Sequence, residues 1–391
     1  MSRSNRILPG STIGILGGGQ LGRMLALQGR AMGYRFVTLD PTPDAPCGQV
    51  ADQQLIAPYD SEADARKLAA QSDVITYEFE NVDAGVAALL ERESYVPQGS
   101  RLLFTTQHRL REKRAIEASG VKVAPYREIP TAEALREASA TFGFPCVLKT
   151  ATGGYDGKGQ WVLRSADEVD EAFATLSQAG TELVLEQFIH FEREISVIAA
   201  RNPDGEIRTF PVSENVHVNN ILHLSIVPAR ISQHLAREAE QMASQIAEHL
   251  EVVGLIAVEM FVAQDGQLFV NELAPRPHNS GHYTMEACHT SQFEQHLRAI
   301  CNLPLASTEL MTPVVMVNVL GQHMEPLMAM LAAEEAAAER RPRVVPKLHV
   351  YGKQESKHNR KMGHINLLAE TVEDALDWVE AAGIWQTEGK R

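Results

Sequence analysis

Cysteine is scarce in this sequence. The four residues, Cys47, Cys146, Cys288 and Cys301, are scattered through 391 positions without CxxC spacing. That spacing suggests neither a disulfide framework nor a cysteine-based structural zinc site and points to buried, reduced thiols. Long hydrophobic runs are missing too: no window approaches the roughly eighteen apolar residues of a membrane-spanning helix. The opening MSRSNRILPGST lacks the apolar core of a secretion signal, so a cytoplasmic location and no membrane partner are expected. Positive charge is also short. Thirty-six Lys and Arg against 50 Asp and Glu give a formal net charge of -14. With little interleaving of aromatic and basic residues, this speaks against a nucleic-acid partner, which needs a concentrated basic face.

What remains is an ordinary globular composition, 44% hydrophobic, in a chain long enough for two or three domains with separate cores. Against the acidic background stands one basic cluster, Lys353 to Lys361 (KQESKHNRK). It fits either a solvated loop or a pocket for an acidic small molecule.

Four segments carry chemistry. In Phe144 to Leu163, a strand over Cys146 to Leu148 ends at Lys149, four glycines fall between Gly153 and Gly159, and a second strand covers Trp161 to Leu163. Glycine backbone with uncovered N–H groups, flanked by Lys149 and Lys158, suits a flap over nucleotide phosphates; the alternative is a solvent hairpin. In the first hundred or so residues, apolar strands alternate with helices, which predicts a parallel sheet. Strand Thr12 to Leu16 runs into Gly17-Gly18-Gly19-Gln20-Leu21-Gly22 and an amphipathic helix, and strand Phe36 to Leu39 ends at Asp40. This turn fits a dinucleotide, with Asp40 on a ribose, or a mononucleotide phosphate. Ser61 and Asp64 form a capping box for a helix to about Gln71, and a third strand, Val74 to Tyr77, leads to Glu78, Glu80 and Asn81. Glu78, at a strand's carboxyl end, is a candidate hydroxyl-binding carboxylate or a plain loop start.

Beyond a boundary near residue 105 the pattern becomes α+β. A helix over His108 to Ser119 stops at Gly120, and its Arg109, Arg111, Lys113 and Arg114 are expected mostly on a solvated face. Another helix runs from a Thr131 cap to Phe142. Strand Leu183 to Leu185 leads into Glu186-Gln187-Phe188-Ile189, which could present backbone and the Glu186 carboxylate to an adenine or ribose, or equally serve as an ordinary inter-strand connection. Glu192, Glu194, Asn215 and His217 fall on the strands that follow.

The sharpest local signal is Leu255 to Arg276. Asp265-Gly266 between apolar runs marks a tight hairpin. Counting outward from Gln264 opposite Gln267 sets Phe261 against Val270 and Glu259 against Glu272. Two carboxylates at such positions, with Cβ atoms about 4.5–5.5 Å apart, repel unless neutralised, and a magnesium ion joined to nucleotide phosphates would do so. A shared proton, or splaying into solvent, is the alternative. The loop Ala274 to His282 follows, with Arg276 suited to a transferring phosphoryl group. Pro277 and Gly281 make a helical His278/His282 metal site unfavourable, so a hydrogen-bonding substrate loop is expected. In the tail, Met330 to Arg341 reads as a charged helical piece and Thr371 to Ala382 as an amphipathic helix.

Together these features resemble the ATP-grasp superfamily and, within it, the N5-carboxyaminoimidazole ribonucleotide synthetases, the ATPase subunits of phosphoribosylaminoimidazole carboxylase. The resemblance rests on GGGQLGRM (Gly17 to Met24), YEFENV (Tyr77 to Val82), GGYDGKGQ (Gly153 to Gln160), LAPRPHNSGHYT (Leu273 to Thr284), Lys353 and Gly363 to Asn366, and it spans nearly the whole chain. It implies a mixed α/β and α+β fold: a Rossmann-like domain over 1–105, an ATP-grasp domain over 106–308 and a small β-rich domain over 309–391. It implies an ATP-dependent carbon–nitrogen ligase of purine biosynthesis, in which bicarbonate and ATP form carboxyphosphate to carboxylate 5-aminoimidazole ribonucleotide. ATP would contact Arg109, Lys149, Gly154, Tyr155, Asp156, Gly157, Lys158, Gly159, Gln160, Glu186, Gln187, Phe188, Ile189, Glu194, His217, Asn271 and Glu272. Magnesium would take Glu259 and Glu272. The ribonucleotide would meet Gln20, Glu78, Tyr155, Asp156, Arg276, Lys353 and Arg360, with Arg276, Asp156 and Lys353 catalytic. A homodimer passing its product to a separate mutase is also implied. Two departures stand out: Ala274 where many ATP-grasp enzymes have asparagine, and Asn219-Asn220 where a glycine is expected. A formate-dependent glycinamide ribonucleotide transformylase or a biotin carboxylase would share the nucleotide site but not the Lys353 to Arg360 cluster. An NAD-dependent oxidoreductase would leave Glu259 and Glu272 idle, and a nonhydrolytic ATP-binding scaffold would not need the full set of charged residues.

Overall fold

Strand Thr12–Leu16 is the hub of a four-stranded parallel sheet, with Arg35–Leu39 on one side and Val74–Tyr77 on the other. The computed structural model describes residues 6–154, 158–333 and 343–385. A short edge strand, Gln53–Leu55, pairs with Arg35–Leu39 and makes Val74–Tyr77 the fourth strand, not the third. Three polar-leaning residues carry no legible period, which is why the sequence hides it. Ser61 caps helix Glu62–Ala69 as expected, accepting from the Asp64 N–H at 3.3 Å, though the helix ends short of Gln71.

The central sheet is antiparallel. Its strands run Leu268–Ala274, Gly254–Ala263, Phe191–Arg201, Ser213–Val218, Ile221–Val227, Val314–Leu320, Lys361–Ala369 and Val344–Val350, with Ile207–Thr209 beside Phe191–Arg201. Ile221–Val227 pairs directly with Val314–Leu320, so the carboxyl-terminal strands continue the sheet that carries the glutamate hairpin. A smaller antiparallel sheet, Tyr126–Ile129, Leu183–Gln187, Cys146–Thr150 and Gln160–Leu163, bears the glycine loop. Lys149 lies within its strand, opposite Gln160, and not at the end. Helix Ala132–Phe142 has the Thr131 cap, and helix Val372–Ala382 is capped by Thr371. Residues 334–341 of the charged tail piece lie outside the described residues; Met324–Ala333 is helical. All four cysteines are buried and free.

The hairpin register corrects the simple count. Ala263, not Gln264, faces Gln267, leaving a three-residue loop with Gly266 at φ +80. Phe261 therefore faces Phe269, not Val270, and Met260 faces Val270. A bulge after Glu259 leaves Asn271 without a direct partner and restores the pairing of Glu259 with Glu272. The two offsets cancel at the residues that matter. The missing glycine after His217 is also explained: Asn219 and Asn220 take φ +51 and +61, a left-handed turn that asparagine tolerates.

Helix Gln20–Ala31 joins the first sheet to the rest. Its Leu21, Met24 and Leu25 share a core with Phe293, Leu297 and Ile300 of helix Gln292–Ile300 and with Tyr351. Leu297 is fully buried, so Leu297→Ala is expected to cost about 2–5 kcal/mol through the cavity it leaves. Thermal unfolding reads this as a lowered Tm with ADP affinity retained; an unchanged Tm would mean the junction contributes nothing.

Candidate active site

A cleft of about 520 Å³ opens between the small sheet and the glutamate hairpin. Its lining includes Arg109, Lys149, Gly154, Lys158, Gln160, Glu186 to Ile189, Glu194, His217, Glu259, Asn271, Glu272 and Arg276. Residues far apart in sequence, expected to act on one nucleotide, thus share one cavity. Gly159 sits just behind, its carbonyl accepting from the Thr150 N–H at 2.8 Å. Tyr155, Asp156 and Gly157 lie outside the described residues.

Glu259 and Glu272 face each other across the hairpin. His278 Nε2 lies 3.0 Å from Glu259, and Arg109 Nη1 lies 3.6 Å from Glu272, which keeps 45% of its side-chain surface open. Depth in the cleft would raise both carboxyls; for Glu259 the His278 hydrogen bond and charge, with His217 and Lys361, prevail and hold it low. For Glu272 the Glu259 charge adds to the rise. An anionic pair with one member pushed toward protonation is suited to a cation. Among the described residues no set of three or more His, Cys, Asp or Glu side chains could hold a metal by itself. The pair would need further oxygen ligands from a nucleotide or water.

Glu186 lines the cleft and is held there by two lysines. Lys149 Nζ donates to one oxygen at 2.9 Å and Lys113 Nζ lies 3.1 Å from the other. Burial would raise this carboxyl, but the two lysines hold it down to about 2. Its carboxylate is held by both lysines, and the chain that follows, Gln187 to Ile189, lines the cleft with it. Lys113 likewise is not on a solvated face: it is 2% exposed. Beside it, Glu112 accepts from the Leu273 N–H at 3.1 Å and is pushed up to about 8 by burial and by Glu272. Sequence reasoning places neither residue in the site. A signal exists, since Lys113 lies three positions from both Leu110 and Ile116, on the helix's buried stripe.

On the other side of Arg276 stands the first sheet. Gly19 and Gly22 donate their N–H groups to the Glu78 carboxylate, the Gly22 bond measuring 2.5 Å. The glycine turn expected to grip a phosphate is therefore occupied by this side chain. Gly17, at φ +108, leaves room for it, because a Cβ there would strike Glu78. Burial pushes Glu78 up to about 7 against the pull of these amides. Asp40 is equally committed: it accepts from the Gly18 N–H at 2.7 Å, the Thr42 N–H at 2.8 Å and the Tyr59 hydroxyl, so the dinucleotide reading loses its ribose ligand.

Lys353 lies within electrostatic reach of Glu78 and Arg360, and burial, helped by Arg360, lowers it to about 8. Its Nζ donates to the Lys361 carbonyl at 2.7 Å, and Arg360 Nη1 donates to the Glu355 carbonyl at 2.9 Å. Gln20 opens the helix at the glycine turn. Glu78, Gln20, Lys353 and Arg360 thus gather at the first-sheet side, beyond the residues that line the main cleft.

A cleft between two antiparallel sheets, with lysines and a glycine loop on one and paired carboxylates on the other, defines an ATP-grasp nucleotide site. The ATP-grasp domain model matches residues 114–293, the ribonucleotide synthetase preATP-grasp domain model residues 10–107, and the phosphoribosylaminoimidazole carboxylase C-terminal domain model residues 314–377. The N5-carboxyaminoimidazole ribonucleotide synthase of Bacillus subtilis (strain 168) is 48% identical over 376 residues, 96% of this chain and 95% of that protein. A crystal structure of an N5-carboxyaminoimidazole ribonucleotide synthetase bound to ADP superposes with a TM-score of 0.92 at 54% identity, covering 98% of each chain. The Aspergillus clavatus N5-carboxyaminoimidazole synthase, solved with ADP and 5-aminoimidazole ribonucleotide, gives a TM-score of 0.85 at 30% identity over 95% of this chain and 97% of that one. The chain belongs to the N5-carboxyaminoimidazole ribonucleotide synthase family of ATP-grasp ligases.

Proposed function

We propose that the protein carboxylates 5-aminoimidazole ribonucleotide to N5-carboxyaminoimidazole ribonucleotide, using ATP and bicarbonate, in purine biosynthesis. The observation that carries the reading is the opposition of Glu259 and Glu272 in the cleft that also holds Lys149 and Arg276. Lys149, Arg109 and the glycine loop bind and orient the triphosphate. Glu259 and Glu272 are the residues that would hold magnesium, whose chemistry is to screen the phosphates and polarise the γ-phosphoryl group. A bicarbonate oxygen attacks the γ-phosphorus, the bond to ADP breaks, and Arg276 stabilises the charge on the resulting carboxyphosphate. That species releases phosphate and carbon dioxide. The exocyclic amine of the ribonucleotide then attacks the carbon dioxide and loses a proton.

The sugar-phosphate side is assigned to Gln20, Glu78, Lys353 and Arg360, with Tyr155 and Asp156 assigned by the family pattern alone. Binding there requires Glu78 to share or yield the Gly19 and Gly22 amides. On family resemblance the reading extends to a cytoplasmic homodimer that passes its product to a separate mutase. No helix among the described residues is long and apolar enough to cross a membrane.

The test is ADP release from magnesium-ATP and bicarbonate, with and without 5-aminoimidazole ribonucleotide. Strong stimulation by the ribonucleotide is expected. Equal stimulation by glycinamide ribonucleotide with formate would overturn the assignment.

A further inference from the structure

Arg276 commits three of its five N–H groups inside the protein. Nε and Nη2 fork onto the two oxygens of Glu80, the Nη2 bond measuring 2.8 Å, and Nη1 donates to the Pro277 carbonyl at 3.2 Å. One N–H on each terminal nitrogen is left for a ligand. A two-pronged contact of this kind fixes the guanidinium plane as well as its charge.

Glu80 lies 196 residues away in sequence and lines the same cleft. It follows strand Val74–Tyr77 of the first sheet, and it is two positions beyond Glu78. Gln107 pins this chain end, its Nε2 donating to the carbonyls of Glu80 at 2.7 Å and Val82 at 2.9 Å. One strand end therefore carries both the carboxylate that faces the glycine turn and the carboxylate that grips the cleft arginine.

We propose that Glu80 is a positioning residue that couples the two substrate sides: a ribonucleotide engaging Glu78 is relayed through this strand end to Arg276, aiming its two free N–H groups at the bicarbonate-derived anion. The inference rests on the function proposed above. It assigns Glu80 no contact with substrate. Its work is to hold Arg276 where the anion forms, and a displacement of about 1 Å at such a group costs on the order of 10²-fold in rate. Because Glu78 and Glu80 share a strand end, the aim of Arg276 is set by whether the ribonucleotide is present, so ATP is not cleaved without an acceptor.

The experiment compares full-length wild type, Glu80→Gln and Glu80→Asp. ADP release is measured at saturating magnesium-ATP over a bicarbonate series, with and without 5-aminoimidazole ribonucleotide, alongside ADP affinity and Tm. Stimulation of the wild type by the ribonucleotide tests the proposed function. The stimulation ratio of the variants relative to wild type tests Glu80. For Glu80→Gln the ribonucleotide-stimulated rate is expected to fall about 10²-fold and the bicarbonate KM to rise, while ADP affinity stays within about twofold. Glu80→Asp, which keeps the charge, is expected to recover part of the stimulation. A Glu80→Gln enzyme with wild-type stimulation and bicarbonate KM would overturn the proposal. Parallel losses of Tm, ADP affinity and rate in both variants would also overturn it, by making Glu80 a structural residue.

Discussion

Glu272→Gln is expected to lower magnesium-dependent turnover by at least about 10³-fold, because a metal at a phosphoryl centre supplies several kcal/mol of charge stabilisation and each ~1.4 kcal/mol is tenfold. The fold should survive. Glu272 faces Glu259 across the hairpin and raises the local negative charge, so the neutral amide removes a repulsion between directly opposed residues. The variant's Tm is therefore expected to equal or exceed that of the wild type. Glu259→Gln should lose activity to the same degree, but its stability should fall, because His278 gives up its anionic partner at 3.0 Å. The pair of substitutions separates chemistry from folding: equal losses of rate, with Tm lowered only in Glu259→Gln. ADP release within about threefold of wild type in either variant would remove both carboxylates from the metal role.

Arg276→Lys is the second large effect. Lysine keeps the charge but offers a point donor in place of a planar fork, and it cannot hold Glu80 through two parallel bonds while presenting a second pair of N–H groups to the cleft. The expected loss in kcat is about 10²–10³-fold, comparable to deleting one preorganised donor at a developing anion. ADP affinity should change little, because Arg109, Lys149 and the glycine loop, proposed above to bind the nucleotide, are untouched. Steady-state kinetics with nucleotide binding measured separately would check this. An Arg276→Lys enzyme of normal kcat, or one whose defect is wholly in ADP affinity, would contradict the role.

Much of this was legible because the signals are local. The Asp265-Gly266 turn announces its hairpin, and the alternation on either side announces which residues share a face. Even so, the predicted register at Phe261 was off by one, and Glu259 met Glu272 only because the bulge at Asn271 compensated. Thr131, Ser61 and Thr371 reveal helix starts because a cap's partner lies three residues away. The illegible parts are those made by distance. Nothing near Glu80 points to Arg276. The charges of Arg109 to Arg114 look like a wet helix face until the small sheet closes over Lys113 and presents Glu186 to it. Asp40 and Glu78 read as open ligand groups from their positions at strand ends, and their hydrogen bonds from amides of the glycine turn are not visible in the sequence. A sequence shows which groups could bind an anion or a hydroxyl; which of them are already taken depends on the chain's return path.

The ladder between Ile221–Val227 and Val314–Leu320 makes the carboxyl-terminal segment something other than a detachable module. Four residues of each strand are paired, and behind Val314–Leu320 stand Lys361–Ala369 and Val344–Val350. A chain lacking that segment would leave Ile221–Val227 as a raw edge bearing Leu224, Ile226 and Val227, all buried in the intact protein. Such an edge is a template for pairing with other chains. In heredity, the segment that carries Lys353 cannot be lost or exchanged as a bead on a string: a recombination breakpoint near residue 310 would cut through a sheet. The burial of Leu224, Ile226 and Val227 is thereby inherited together with the carboxyl-terminal strands.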